Sequence, residues 1–139
     1  MMINTDNQDQ TAIFLNLSDY SSSKWSHEQI AAALELGFAI INVPFPQIDS
    51  KATRRDIHCA AYELFKEILE KYEGYNLHIL VQGEMTFVYA FVWQCDEEWT
   101  KGSRWIRCYN VINEVKRVEE PSTENFEIST RFQQFRSYF

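Results

Sequence analysis

The sequence predicts an α/β fold: a three-layer, Rossmann-like domain with a mainly parallel sheet and a C-terminal antiparallel hairpin. Three short apolar runs rich in β-formers carry that expectation: AIFLNL (12–17), FAIINV (38–43) and NLHILV (76–81). Their apolar residues are continuous rather than alternating, as in strands covered on both faces. The stretches between them have helical periodicity and are long enough for the crossover helices that parallel neighbours need. A chain of 139 residues with 45% hydrophobic content fits one domain with a sizeable core. That domain is expected over 12–139, after a polar and flexible segment at 1–11.

The elements follow in order. The first strand ends near Leu17, at the polar loop SDYSSSKW. Ser26 with Gln29 three residues on forms a capping-box pattern before IAAALEL, and Gly37 stands where a helix C′ glycine belongs. The second strand stops at Pro44 and Pro46. Thr53 and Asp56 cap the next helix, whose stripe Ile57, Ala61, Leu64, Ile68 and Tyr72 ends before Gly74. After the third strand, a helix is expected from Glu84 to Cys95 and a fourth strand over RWIRCYNV (104–111). The segments NEVKRVEE and ENFEISTRFQQF then form a hairpin around PSTE.

Composition excludes several classes of function. With 13 basic and 20 acidic residues the net charge is -7, which disfavours long nucleic acid or an anionic membrane as the main partner. Cys59, Cys95 and Cys108 form no CxxC, so neither a disulfide framework nor a zinc site is expected, and a reducing cytoplasm fits. His27, His58 and His78 have no ligand spacing, and no metal is expected. No signal sequence or spanning segment is evident.

In an open parallel sheet, ligands bind beyond the carboxyl ends of the strands, which singles out the loops NLSDYSSSKW, PFPQID and QGEMT. In the last, Gly83 lets the backbone turn tightly, and the N–H groups of Glu84, Met85 and Thr86 open a helix that can cradle an anion. The same residues also have a purely structural explanation: glycine is common at such turns, and Glu84 complements the helix dipole. Beside phosphate, Glu84 is better suited to a ribose hydroxyl. In the first loop, Asn16, Ser18 and Lys24 can bind phosphate or ribose, and Trp25 offers a stacking face or simply packs on the helix it precedes. Gln82 adds an amide at the end of the third strand.

The helix from Met85 to Trp93 is apolar all round and needs cover on every side. A second copy of the chain packed against the 85–95 helix provides it, so a two-fold homodimer is expected, with a fully wrapped internal helix as the alternative. The basic residues Lys101, Arg104, Arg107, Lys116 and Arg117 form either a solvated face or an attraction for a small polyanion.

A strand ending in LNLS, a Ser-rich loop before SKW, a strand ending in VPFP and the turn QGEMT together resemble small stand-alone CRISPR-associated proteins with a Rossmann-like CARF domain, ring nucleases among them. The likeness spans most of residues 12–118. It implies a homodimer that binds cyclic oligoadenylate across its two-fold axis, in antiviral signalling. It maps ligand contacts onto Asn16, Ser18, Gly83 and Thr86, although Phe87 stands where those proteins carry Lys or Arg. It further implies cofactor-free cleavage by attack of the ribose 2′-hydroxyl on the adjacent phosphate. Ser18, Lys24 and Thr86 would stabilise charge, and Glu84 or His27 would act on the hydroxyl. The alternatives are a sensor that binds the same ligand without cleaving it, and another nucleotide hydrolase on this fold.

Overall fold

The computed structural model describes residues 2–3, 10–119 and 126–139, and among these the side chains of 3, 116–119 and 126–128 are left aside. Its central strand, β2 (Ala12–Ser18), runs parallel to a neighbour on each side, β3 (Ala39–Pro44) and β4 (Asn76–Val81). Strand β5 (Ile106–Glu119) adds parallel to β4. Strand β6 (Phe126–Ser137) pairs antiparallel with β5, and the two-residue β1 (Met2–Ile3) pairs antiparallel with β3. The six-stranded sheet has the order β1-β3-β2-β4-β5-β6. The three-layer α/β fold with a mainly parallel sheet and a C-terminal antiparallel hairpin is therefore present. The segment expected to be flexible at 1–11 contributes β1 near its start; positions 1 and 4–9 lie outside the described residues.

Helix α1 (His27–Leu36) links β2 to β3, α2 (Arg54–Lys71) links β3 to β4, and α3 (Met85–Lys101) links β4 to β5. From β2 the chain steps one way across the sheet to β3, then back past β2 to β4. Right-handed crossovers running in opposite directions put their helices on opposite faces. Accordingly α1 covers one face, over Phe14, Ile40, Leu80 and Tyr109. Helices α2 and α3 lie side by side on the other, over Ile13, Leu15, Leu17, Leu77, Ile79 and Val81.

Both expected cap residues start their helices, Ser26 with one half of the capping-box pattern and Thr53 with all of it. Ser26 Oγ accepts from Gln29 N–H at 3.2 Å, and Thr53 and Asp56 complete a reciprocal capping box. On α2 the fully covered stripe is Ile57, Ala61, Phe65 and Ile68, with Leu64 only partly buried. Gly37 ends α1, but in extended backbone with φ −137° rather than the left-handed conformation of a C′ glycine. Its missing side chain serves a close crossing instead: a Cβ there would sit 2.6 Å from the backbone of Ile13 and Phe14.

Two expectations change. Helix α3 runs past the expected end at Cys95 to Lys101 and is not the fully wrapped internal helix that stood as the alternative to a dimer, for Met85, Tyr89 and Trp93 are 78%, 66% and 50% exposed. The fourth strand and the first hairpin strand are one continuous strand, β5, only the start of which, Ile106–Tyr109, pairs with β4. Beyond it β5 and β6 run on as a two-stranded ribbon past the carboxyl edge of the sheet; the PSTE turn lies outside the described residues. Among the described residues, no helix is long and apolar enough to cross a membrane.

One polar pair lies inside the α1-side core. His78, 8% exposed, has Nδ1 2.7 Å from the Tyr109 hydroxyl, and its ring packs on Trp105 and Tyr109. Burial, aided by the Arg107 charge, lowers the His78 pKa to about 4, and burial pushes Tyr109 up to about 12. Both are neutral at pH 7, so the pair is a hydrogen-bonded core contact. The folded-state pKa of His78 is below its unfolded value of 6.5, so the unfolded chain binds the extra proton first. Stability is then full above 6.5 and falls as the pH drops through about 4. Urea midpoints measured from pH 7.5 down to 4 are expected to fall in the wild type. The acid limb is expected to flatten in His78→Phe, which is also less stable at pH 7.5 because the Tyr109 hydroxyl loses its partner.

Candidate functional site

The strand order reverses between β2 and β4, and their carboxyl ends open into a crevice between the loop 19–26 and the turn 82–84. This is where doubly wound sheets bind ligands. What lines it is decided by the last residues of β2. Alternation turns Asn16 toward the α1 face, where it is 1% exposed, in register with Asn42 on β3. Asn16 Nδ2 donates to Asn42 Oδ1 at 2.9 Å and to the Tyr20 carbonyl at 2.6 Å, while Asn16 Oδ1 accepts from Ser18 Oγ at 2.6 Å. Asn42 Oδ1 also accepts the N–H of buried Ser22 at 3.0 Å. Both amide hydrogens and the carbonyl of Asn16 are thus engaged within the chain. Asn16 holds the loop rather than facing the crevice. Asn42, which sequence reasoning did not single out, is its partner, and its signal was an amide inside the apolar run FAIINV.

The loop held in this way forms one wall of a cleft of about 380 Å³ on the α1 side, through Ser18, Tyr20, Lys24 and Trp25. Gln82 lines it from the end of β4, and Gln29 contributes from α1. The opposite wall is the ribbon, through Val111, Asn113, Thr130 and Phe132, and nothing local in the sequence pointed to these residues. Trp25 meets Phe14 edge-on at 6.1 Å and packs near Phe135, so it is both a core contact and a cleft wall. Lys24 lies 5.8 Å from the centre of the exposed Tyr20 ring and is the sole basic residue among the described residues of the cleft.

The other predicted residues lie elsewhere. The Glu84 carboxylate caps α3, accepting from the N–H groups of Thr86 at 3.0 Å and Phe87 at 2.9 Å. These bonds, that from Phe87 foremost, hold its pKa below the ordinary carboxylate value. The helix terminus expected to cradle an anion is therefore filled by the chain's own carboxylate. A Cβ on Gly83 would come within 2.5 Å of the Phe45 ring, so its lack of a side chain makes room for Phe45, which packs edge-on against Phe87. Glu84 and Asp19 line a separate opening of about 340 Å³ beside Phe45 and Gln47. Met85 belongs to a third feature, an apolar groove of about 320 Å³ on the outside of α3 with Tyr89, Trp93, Tyr138 and Phe139.

The arginines of the basic cluster whose side chains are described, Arg104 and Arg107, are engaged elsewhere. Arg104 donates to the carbonyls of Leu69 at 2.9 Å and Tyr72 at 3.0 Å, tying down the end of α2. Arg107 donates to the Phe139 carbonyl and stacks over Trp99 at 4.8 Å. Lys101 is exposed at the end of α3, and the side chains of Lys116 and Arg117 lie outside the described residues. Among the described residues, no cluster of three or more His, Cys, Asp and Glu is placed to hold a metal ion.

The profile of the Uncharacterized protein MJ1673 family matches residues 13–136, and the chain belongs to that family. No curated protein and no solved structure matches it.

The amide pair behind the cleft gives a direct test. Asn42→Ala leaves a buried Asn16 hydrogen and the Ser22 N–H without partners, at a cost of about 1–3 kcal/mol. Chemical denaturation should show that loss, and hydrogen exchange should quicken at the amides of 20–24 ahead of those in β2. Unchanged exchange in the loop would mean that the pair does not position it.

Proposed function

We propose that this protein is a homodimer that binds a cyclic oligoadenylate at the cleft between the loop 19–26 and the β5–β6 ribbon. The observation that carries this reading is the position and lining of that cleft. It opens at the reversal of strand order, and it combines one cation, hydroxyls, amides and two aromatic walls. Lys24 and Ser18 suit a phosphate, the aromatic rings suit bases, and the volume falls within the range of small-molecule sites. The resemblance to CARF-domain proteins supports the ring-shaped ligand and its setting in antiviral signalling.

The exposed stripe Met85, Tyr89 and Trp93, spaced by four residues on α3, is the proposed two-fold interface. It adjoins Tyr138 and Phe139 at the end of the outer strand β6, so a second copy would cover an apolar groove and the open side of the sheet together. Large apolar side chains left this exposed mark an association surface.

Cleavage by the ribose 2′-hydroxyl requires in-line positioning and charge stabilisation, to which Lys24 and Ser18 are suited. It gains little from Glu84, whose carboxylate is engaged in the cap and whose pKa is lowered, making it a weaker base. That observation favours the sensor reading over rapid turnover.

Calorimetry with cyclic tri-, tetra- and hexa-adenylate in chelator, followed by chromatography of the recovered ligand, tests the reading. One ring size is expected to bind and to be recovered intact. Lys24→Ala should weaken it about tenfold, equivalent to about 1.4 kcal/mol. A linear product with a 2′,3′-cyclic phosphate end would restore the nuclease reading, and absence of binding to every ring would end both. For the interface, light scattering should give a dimer for the wild type and a monomer for Trp93→Glu. A wild-type monomer at micromolar concentration would remove the two-fold site.

A further inference from the structure

We infer that the ribbon side of the cleft is an adenine-base subsite in which Asn113 reads the base edge and Phe132 and Trp25 supply its stacking faces. This rests on the proposed nucleotide reading of the same cleft and names the part of the ligand bound there. Three observations lead to it.

The first is a change of register. Strands β5 and β6 pair without interruption except between Ile112 and Asn113, where the partner steps from Gln134 to Phe132 and Gln133 is left over. A bulge of this kind switches which side chains share a face and re-aims them, and bulges are frequent beside binding sites. Without it, Phe135 and Phe132 would point to opposite faces. With it, Val111 and Asn113 stand opposite Phe135 and Phe132 on one face, and the two phenylalanine rings lie 5.1 Å apart. Phe135 enters the α1-side core, while Phe132 and Asn113 reach the cleft.

The second is unused hydrogen-bonding capacity. Among the described residues, the side-chain amides of Asn113, Gln82 and Gln29, all lining the cleft, have no hydrogen-bond partner. The Asn16 and Asn42 amides just beneath are engaged with each other and with the loop.

The third is the chemistry of the lining. An amide presents a donor beside an acceptor, which complements the N7 and N6–H of adenine and mismatches the two acceptors, N7 and O6, on the same edge of guanine. The other edge of guanine carries adjacent N–H donors that a carboxylate would pair, and no carboxylate lines this cleft among the described residues; those of Asp19 and Glu84 line the separate opening. Trp25 and Phe132 line the cleft with aromatic rings on which a base can stack, and Lys24 lies on the loop side for the phosphate.

The test titrates the 139-residue chain with AMP and GMP, and separately with cyclic tetra-adenylate, using wild type, Asn113→Asp and Phe132→Leu. Asn113→Asp keeps the shape and replaces the donor by an acceptor. Both sites lie on the solvent-facing ribbon, and thermal melts confirm folding. The wild type should prefer AMP to GMP by about tenfold. Asn113→Asp should abolish that preference, and Phe132→Leu should weaken both nucleotides alike. The inference is overturned if the wild type does not distinguish AMP from GMP or binds neither, or if Asn113→Asp keeps the preference. If AMP binds with an Asn113-dependent preference while no cyclic ring binds, the subsite stands and the ring-ligand reading fails. If the ring binds both variants with wild-type affinity, the reading stands and the subsite falls.

Discussion

The central strand β2 is covered on both faces, and it contains one residue that cannot simply be packed. Ile13, Leu15 and Leu17 face α2 and α3, and Phe14 faces α1, but Asn16 brings an amide to a position that is 1% exposed. A buried amide without partners costs more than its hydrogen bonds return, so every polar atom on it must be matched. The matches come from Asn42 across the register, from Ser18 two residues on, and from the Tyr20 carbonyl. Satisfying Asn16 therefore fixes the loop after β2, and with it the wall formed by Ser18, Tyr20, Lys24 and Trp25. The cleft is a consequence of a packing requirement inside the sheet.

The same reasoning explains why the turn QGEMT does not behave as an open phosphate cradle. The first N–H groups of a helix need acceptors whether or not a ligand is present. Glu84 meets that need from within the chain, with both carboxylate oxygens in use. An incoming anion would have to displace a carboxylate that is already bound twice and would meet like charge in doing so. Gly83 fits this arrangement too, for the Phe45 ring takes the space its side chain would fill. The alternate side of the crevice, where Gln82 and Lys24 stand, carries no such internal occupant.

Much of the fold was legible because its signals are local. Apolar runs located β2, β3 and β4 to within a residue or so, and the cap residues Ser26 and Thr53 marked where α1 and α2 begin. Of the candidate site, Ser18, Lys24, Trp25 and Gln82 were legible because they follow the ends of those strands, where topology sends ligands. Asn113, Thr130 and Phe132 were not. They reach the cleft only because β5 continues past the sheet as a ribbon and because one bulge puts Phe132 opposite Asn113. A bulge leaves no mark in hydrophobic periodicity beyond a lost alternation, which in RFQQF (131–135) resembles any irregular edge strand. Helix α3 was legible in part. Its run of apolar residues calls for cover on all sides; the fold covers the side toward α2 and β5 and leaves Met85, Tyr89 and Trp93 outside, so the helix is not wrapped within one chain.

Charge counting shows the same limit from another direction. A cluster of arginines late in the chain looks like an anion site when only their number and spacing are known. Placed in the fold, Arg104 is bound to carbonyls at the end of α2, and Arg107 is bound to the Phe139 carbonyl between two aromatic rings. A guanidinium held in this way satisfies backbone acceptors that would otherwise lack partners, and releasing it to a ligand would expose them again. Lys24 has no such duty. Its contact is the face of an exposed tyrosine, a weak interaction at the surface, and its flexible stem can carry the charge into the cleft. In a chain of net charge -7, attraction of an anion to the crevice would therefore depend on neutral donors and, among the described residues of the cleft, on one lysine. Selectivity for such a ligand would have to come from amides and aromatic faces, to which the ribbon contributes Asn113 and Phe132.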